Sequence, residues 1–193
     1  IQMFSRDGEG PPRIGAETLI GSDGLNKNHL SAEGATNGAG FVLDASRMDT
    51  NGYRDHSSAR RDQTFAKLNV QPDDDSKLAL IYSSLEQNGT QDPLGQTWEA
   101  YKADPRSVSS NALTYNTRKS IDHQQFGMNY ERYIGDATLQ VNAYTGRKSV
   151  IQYLSISDRF TSSIANHDNA RGGVVVLDRK FYVVSVASMQ HIA

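Results

Sequence analysis

Two neighbouring runs of alternating apolar and polar residues, between positions 120 and 147, constrain the fold of this chain more than any other feature. Side chains along a strand point alternately to its two faces, so a period of two predicts strands with one apolar and one polar face. The Gly135-Asp136 pair between the runs suits a tight antiparallel turn. The apolar positions are Phe126, Met128 and Tyr130 in the first run and Leu139, Val141 and Ala143 in the second. The stretch is therefore a predicted β-hairpin with an unusually polar second face.

The same pattern recurs along the chain and predicts an all-β fold. No helix-period pattern of useful length occurs outside one loop, where residues 96–104 are expected to form two helical turns that end at Pro105. Eight strands are predicted, at residues 13–20, 29–35, 41–47, 63–70, 77–85, 121–133, 138–148 and 173–187.

Composition and charge exclude several classes of function. The net charge of -2 over 193 residues gives no bulk attraction to nucleic acid. No apolar run reaches about 18 residues, so a transmembrane helix is excluded. The absence of cysteine excludes disulfides and thiolate metal sites, and the five histidines are too scattered to suggest a ligand set. Neither a metal nor another cofactor is expected, and no catalytic arrangement of side chains is recognisable.

The connections between the predicted strands alternate between short and long. Short ones fall at residues 36–39, 71–76 and 135–136, and long polar ones at 48–62, 86–120 and 149–172. In an antiparallel meander every second connection lies at the same end of the sheet, so the long loops are expected at one rim. Transmembrane barrels have this arrangement, with short periplasmic turns, long extracellular loops, an apolar outer face and a polar lumen. The pattern predicts an antiparallel transmembrane β-barrel, with Tyr82, Tyr130 and Tyr133 as candidates for its aromatic girdles.

Several stretches resemble the TonB-dependent outer-membrane receptors. Residues 1–8 resemble the last strand of that family's plug domain, and residues 42–47 with 49–57 resemble its third barrel strand and the loop after it. Residues 91–95, 103–106 and 116–120 resemble the next outer loop of siderophore-receptor-like members. The resemblance extends to about Phe181.

This resemblance implies a domain organisation. The family fold is a barrel of about 22 strands with a plugged lumen. Residues 1–12 would be the end of the plug and its linker, and residues 13–193 the N-terminal part of the barrel. The eight predicted strands would then be the first third of that barrel, and the chain is expected to be a fragment of a larger receptor.

The resemblance also implies a function and a location. The chain is expected to belong to an active transporter in the outer membrane of a Gram-negative cell, a receptor for a ferric siderophore or a similar scarce nutrient, and not to an enzyme. The implied partners are TonB and its inner-membrane energising complex, acting through a plug region absent here, the small ligand, and outer-membrane lipid.

Ferric siderophores are often anionic and partly aromatic, so cationic and aromatic residues of the outer loops and upper lumen are expected to bind the ligand. The alternative is that these side chains are solvated loop charges or pack the loops together. Residues 53–56 in particular could be structural, with Arg54 or Asp55 paired to the plug across the lumen. The candidates are Tyr53, Arg54, Arg60, Arg61, Trp98, Tyr101, Arg106, Tyr115 and Arg118.

Two other folds remain open at this point. One is a soluble β-sandwich that binds a ligand such as a carbohydrate, although sorted loop lengths and polar inner faces argue against it. The other is a small, self-contained barrel of eight strands, which the strand number permits. The plug-like start and the polar first two strands argue against that barrel.

Overall fold

Eight antiparallel strands form a single sheet in which each strand pairs with its neighbours in sequence order. The computed structural model describes residues 5–36, 38–156 and 173–190. Two short helices, α1 (Trp98–Ala103) and α2 (Ser110–Tyr115), lie between β5 and β6. The strands are β1 (Arg13–Ile20), β2 (Asn26–Thr36), β3 (Ala39–Thr50), β4 (Ala59–Asp73), β5 (Ser76–Gln91), β6 (Arg118–Ile134), β7 (Ala137–Tyr153) and β8 (Val174–Gln190). The all-β antiparallel prediction is confirmed.

The central hairpin has the predicted register. Strands β6 and β7 pair from Ile134 opposite Ala137 to Arg118 opposite Tyr153, which leaves a turn of two residues. Gly135 in that turn has a φ of 56°, a left-handed conformation that glycine adopts without steric cost. Most of the observed strands are longer than the predicted segments. Backbone hydrogen bonds between strands continue through polar residues beyond the last apolar residue of the alternating pattern.

The connections are sorted by length between the two rims, as predicted. The short ones, after β2, β4 and β6, lie at one rim, and the longer ones, after β1, β3, β5 and β7, lie at the other. We call these the short-turn rim and the long-loop rim. Residue 37 of the first predicted short turn, residues 157–172 of the last predicted long loop and residues 1–4 of the predicted plug strand lie outside the described residues.

An apolar belt runs across the outer face of the sheet. Three consecutive rows of outward-facing side chains are almost entirely apolar from β2 to β8, apart from Thr36, Thr145 and Gly34. Large members such as Leu68, Leu80 and Phe126 are 41%, 42% and 58% exposed. We call this surface the outer belt; it comprises Ala32, Leu43, Ala66, Tyr82, Phe126, Tyr182, Phe41, Leu68, Leu80, Met128, Ala143, Val184, Ala39, Val70, Leu78, Tyr130, Val141 and Val186.

The inner face is mixed and mainly polar. Its rows carry side chains such as Lys67, Asn69, Asn129 and Gln140, which border a cavity of about 970 Å³. The predicted girdle residues divide between the faces, since Tyr82 and Tyr130 lie on the outer belt. Tyr133 differs, because its hydroxyl donates to Glu131 on the inner face at 2.7 Å. Alternation explains this, as Tyr130 and Tyr133 are three residues apart in one strand.

Residues 5–12 cross the inner face of β2, β3 and β4 near the short-turn rim. The amide of Ala35 donates to Gly10 O at 2.8 Å, and Lys67 Nζ lies 2.6 Å from Asp7 Oδ1. We call residues 5–12 the strap. Its position on the inner face agrees with a chain that enters the sheet from the lumen, although the domain boundary after residue 12 stays a prediction.

The described strands form neither of the two alternative folds. A β-sandwich needs two facing sheets, and these strands form one. Strands β1 and β8 stand at the two ends of the strand order and are not paired with each other, so the described sheet is not closed into a small barrel.

Candidate ligand-binding surface at the long-loop rim

Arg54 joins two of the loops at the long-loop rim. Its Nε donates to Ser107 O at 2.9 Å, Nη1 to Leu94 O at 2.6 Å and Nη2 to Pro93 O at 3.2 Å. All three acceptors are backbone carbonyls of the β5–β6 connection. A guanidinium with five donors in a fixed planar fork suits this set better than an ammonium does. Arg54 therefore has a structural role at this rim, with the β5–β6 loop as its partner, and the pairing of Arg54 or Asp55 to a plug stays a prediction.

Arg106 brings three connections together. Its Nη1 donates to Asp23 Oδ1 and to Tyr53 O, both at 2.8 Å, and its guanidinium carbon lies 4.6 Å from the centre of the Tyr53 ring. The hydrogen bond that Arg106 donates to the Asp23 carboxylate raises the pKa of the guanidinium above its usual range. Asp23 belongs to the β1–β2 turn, Tyr53 to the β3–β4 loop and Arg106 to the β5–β6 loop. The arrangement presents a charged group stacked on an aromatic face.

Helix α1 exposes an aromatic cluster. The rings of Trp98 and Tyr101 stack with centroids 5.4 Å apart and planes 13° apart, and Lys102 Nζ lies 5.0 Å from the centre of the Trp98 ring. Trp98 is 62% exposed and Tyr101 48%. The helix begins after Thr97, whose hydroxyl accepts from the Ala100 amide. Flat apolar faces beside an ammonium can bind a planar or anionic ligand.

The other candidates do not join these two clusters. Arg60 lies on the outer face, where its Nε donates to Asp49 at 2.6 Å. Arg61 is exposed on the inner face, because neighbours in a strand point to opposite sides. Arg118 stacks 3.5 Å from the centre of the Tyr153 ring. Tyr115 is the last residue of α2.

Sequence reasoning missed α2 and the buried joint next to it. His56 Nε2 lies 2.9 Å from Thr117 O, and Thr117 Oγ1 donates to Asp92 O at 2.5 Å. Thr117 is 1% exposed and Ala112 is fully buried. Asn116 closes α2 with a φ of 47°, the left-handed conformation that asparagine tolerates at helix ends. That asparagine was the one available signal for where α2 ends.

A second pocket on the inner face of the sheet, of about 440 Å³, is lined by polar side chains together with Phe65 and Leu85. His29 Nε2 lies 2.9 Å from Asp44 Oδ1, and its Nδ1 lies 3.9 Å from Glu17 Oε2. His123 lines the same pocket, and its Nδ1 has no hydrogen-bond partner among the described residues. These side chains come from four strands, so only the strand pairing brings them together. The side chains of this pocket can donate hydrogen bonds to a polar ligand or accept them from it.

No group of three or more His, Asp or Glu side chains in the described ranges is arranged to hold a metal ion. His167 and His191 lie outside those ranges, so the expectation of no metal site stays a prediction. Helices long and apolar enough to cross a membrane are likewise absent from the part of the chain that the structure describes.

Replacing Arg54 by lysine is expected to loosen the β5–β6 loop, because one ammonium cannot reproduce the fork of three hydrogen bonds. We expect the contact between the β3–β4 and β5–β6 loops to lose about 1–3 kcal/mol of stabilisation. Faster proteolytic cleavage within residues 92–117 of the folded protein measures this loss. Arg61→Lys is the matched control, since Arg61 is exposed and makes no hydrogen bond to a described residue. Equal cleavage rates in the two variants would contradict the role given to Arg54.

No family model matches the sequence. Among solved structures, the chain is similar to the unliganded form of the ferric citrate transporter FecA, with a TM-score of 0.64 and 17% sequence identity. The match covers 94% of this chain and 26% of that one, so the chain spans about a quarter of the length of that transporter. At this identity the likeness concerns the fold alone, a section of a β-barrel.

Proposed function

We propose that this chain is a section of an outer-membrane β-barrel that takes up a ferric siderophore or a similar scarce nutrient, and that it has no enzymatic activity. The outer belt carries the proposal. A sheet that exposes a continuous band of large apolar side chains on one face and mainly polar side chains on the other needs an apolar environment beside that band. Lipid outside and water inside a barrel supply both environments.

The course of the outer belt across the strands supports a barrel whose strands are tilted. The next row of outward-facing residues, on the side of the belt toward the long-loop rim, changes in character across the strands. It is apolar at Leu30 and Ala45, carries hydroxyls at Thr64 and Ser84, and is charged at Arg147. The upper border of the belt therefore moves toward the short-turn rim from β2 to β7. Barrel strands tilt by about 35–45°. A level apolar band around such a barrel must cross the rows of paired residues in this way.

In this arrangement the long-loop rim faces outward from the cell, and the short-turn rim faces the periplasm. Energy for uptake would come from TonB and its inner-membrane complex, acting through a plug region outside this chain. The strap supports that connection, since residues 5–12 lie on the inner face of the sheet. The similarity to a ferric citrate transporter supports the transport class at the level of the fold.

Ligand capture is assigned to the two clusters at the long-loop rim. The Tyr53–Arg106 pair and the Trp98–Tyr101–Lys102 cluster combine exposed aromatic faces with fixed cations. Ferric siderophores are often anionic, and several carry aromatic groups, so this combination suits them. The inner pocket around His29 and His123 lies between these loops and the cavity beside the strap, and is proposed as a later contact for the ligand.

The function is tested by mass spectrometry of membrane fractions from the source cells, grown with and without available iron. We expect peptides of this sequence in the outer-membrane fraction, in a protein several times larger than 193 residues, and in larger amounts when iron is scarce. Uptake of radiolabelled ferric siderophores by the same cells then identifies the ligand. Peptides confined to a soluble product of about this length would overturn the proposal.

Trp98→Ala is expected to weaken ligand binding without destabilising the barrel. Removing the stacked ring and its contact with Lys102 should cost about 0.5–2 kcal/mol of binding, roughly a 2- to 30-fold lower affinity. Binding of the identified siderophore to whole cells measures the change. Leu113→Ala is the control, since Leu113 is similarly exposed, at 58%, in the same loop but belongs to neither cluster. An equal loss of affinity in both variants would show that the aromatic cluster contributes no more to ligand binding than Leu113 does.

A further inference from the structure

Cationic side chains of the sheet differ in whether a carboxylate accompanies them. On the outer face, four arginines form the ion pairs Arg47–Asp62, Arg60–Asp49, Arg132–Asp73 and Arg147–Asp178. Near the short-turn rim of the inner face, the pairs are Arg13–Glu33 and Lys67–Asp7. The inner face toward the long-loop rim is different, because its cations form no ion pair with any described residue. These cations are Lys27, Arg61, Lys119, Lys148 and Arg179.

Three basic residues stand side by side in one row of this inner face. His123 on β6 is directly opposite Lys148 on β7, which is directly opposite Arg179 on β8. Lys148 and Arg179 are both exposed. Directly opposite residues have Cβ atoms about 4.5–5.5 Å apart, and like charges in such positions destabilise a sheet. An anion bound between the two side chains would offset that repulsion. We call these three residues the basic row.

Within the described strands β5 to β8, no carboxylate adjoins the basic row on the inner face. The neighbouring inner-facing residues are apolar or uncharged: Ile121, Val150 and Leu177 toward the long-loop rim, and Gln125, Gly146 and Phe181 toward the short-turn rim. Asp122 and Asp178 are adjacent to the row in sequence but point to the outer face. The carboxylates of Glu17 and Asp44 lie beside His29, on β1 and β3. The charge of the basic row is therefore directed toward the lumen without a counter-ion from these strands.

Aromatic rings lie beside the basic row on its short-turn side. The ring of Phe181 stacks with that of His123, with centroids 6.1 Å apart and planes 13° apart, and the Tyr144 ring is also 6.1 Å from Phe181. Gly146 leaves room for this arrangement, since a Cβ there would lie 2.6 Å from Phe181 Cζ. The wall thus combines exposed cations with flat apolar faces. A ligand that carries anionic groups on an apolar or planar body fits both parts.

We propose that the inner wall of β6 to β8 is a separate anion-binding site, and that the ligand of this chain is therefore anionic. Lys148 and Arg179 bind its carboxylate or phosphate groups, and His123 connects the site to the pocket of His29 and Asp44. The remaining unpaired cations extend the positive surface toward the long-loop rim, which favours entry of an anion from that side. The assignment to the ligand rests on the proposed function, which by itself leaves the charge of the ligand open.

Labelling of Lys148 tests the site without requiring transport. The full-length protein, purified from the source cells, is treated with pyridoxal phosphate or with pyridoxal. Each aldehyde condenses with the lysine amine to an imine and water, and borohydride then reduces the imine to a stable amine. We expect pyridoxal phosphate to label Lys148 at least fivefold faster than pyridoxal does, and this preference to fall below twofold in Arg179→Gln. Lys180→Gln is the matched control and should keep the preference, since Lys180 is the next residue of β8 and points to the outer face.

Equal labelling of wild-type Lys148 by the two reagents overturns the anion site. A preference that survives Arg179→Gln also overturns it, because the guanidinium then plays no part in attracting the phosphate. A Lys148 that neither reagent reaches in the full-length protein overturns it as well. In that case another part of the protein covers the basic row.

Protection of Lys148 from pyridoxal phosphate tests the charge of the ligand. An anionic ferric polycarboxylate complex and a neutral ferric trihydroxamate complex are compared at equal concentration. We expect the anionic complex to slow labelling at least fivefold and the neutral one to slow it less than twofold. Slowing by the neutral complex, or by neither, overturns the anionic assignment. Absence of any siderophore uptake by the cells, with the labelling preference intact, overturns the proposed function and not the anion site.

Discussion

Leu80→Arg is expected to keep most of the protein from folding into the outer membrane. Leu80 lies in the middle row of the outer belt, between Leu68 and Met128, and is 42% exposed on that face. An arginine at the lipid midplane of a barrel costs about 2–4 kcal/mol. That cost shifts the folding equilibrium roughly 30- to 900-fold. The measurement is the fraction of protein from the source cells that is membrane-inserted and changes its electrophoretic mobility on heating.

Ala79→Arg is the matched control for this variant. Ala79 precedes Leu80 in β5, so its side chain points to the inner face, where it borders the cavity of about 970 Å³. The same charge placed in a water-filled lumen should leave insertion close to wild type. The reverse pattern, in which Leu80→Arg inserts and Ala79→Arg does not, would mean that the inner face and not the outer belt meets lipid. Equal insertion of both would mean that the outer belt does not meet lipid.

The strands were predictable because the two faces of the sheet differ in polarity. Alternation along β6 and β7 follows directly from that difference, and the Gly135-Asp136 pair fixed their turn. The strand ends were less predictable, since backbone pairing continues past the last apolar residue. Helix α1 was expected from the proline that follows it. Helix α2 was missed because its six residues carry no apolar period and no side-chain cap.

The candidate site was predictable in residue type but only partly in position. Aromatic and cationic residues of the loops do form clusters, but the sequence could not tell that Arg54 is occupied by three carbonyls of another loop. The opposite faces of Arg60 and Arg61 did follow from alternation and could have been separated in advance. The inner pocket of His29, Asp44 and His123 depends on the pairing of distant strands, which no local pattern reveals.

Gly8→Ala is expected to lift the strap from the sheet. The new Cβ would stand 2.2 Å from Phe41 O and 2.5 Å from Gly34 O, so either the strap or both strands must move. Overpacking of a tight contact costs about 1–3 kcal/mol, and occasionally more. Strands β2 and β3 are held by backbone hydrogen bonds to neighbouring strands on both sides. The strap is held mainly by the close contact at Gly8 and by the ion pairs of Glu33 with Arg6 and Arg13. The strap is therefore the part that moves.

Trypsin reports this movement, because Arg6 lies within the strap and its Nη1 is held 2.8 Å from Glu33 Oε2. Cleavage after Arg6 should be at least tenfold faster in Gly8→Ala than in wild type. Gly95→Ala is the control, since a Cβ at Gly95 would meet no atom within 4 Å. Cleavage of Gly8→Ala at the wild-type rate would mean that the strap accommodates a side chain at this position. In that case residues 8–12 are not seated against the sheet by the glycine contacts.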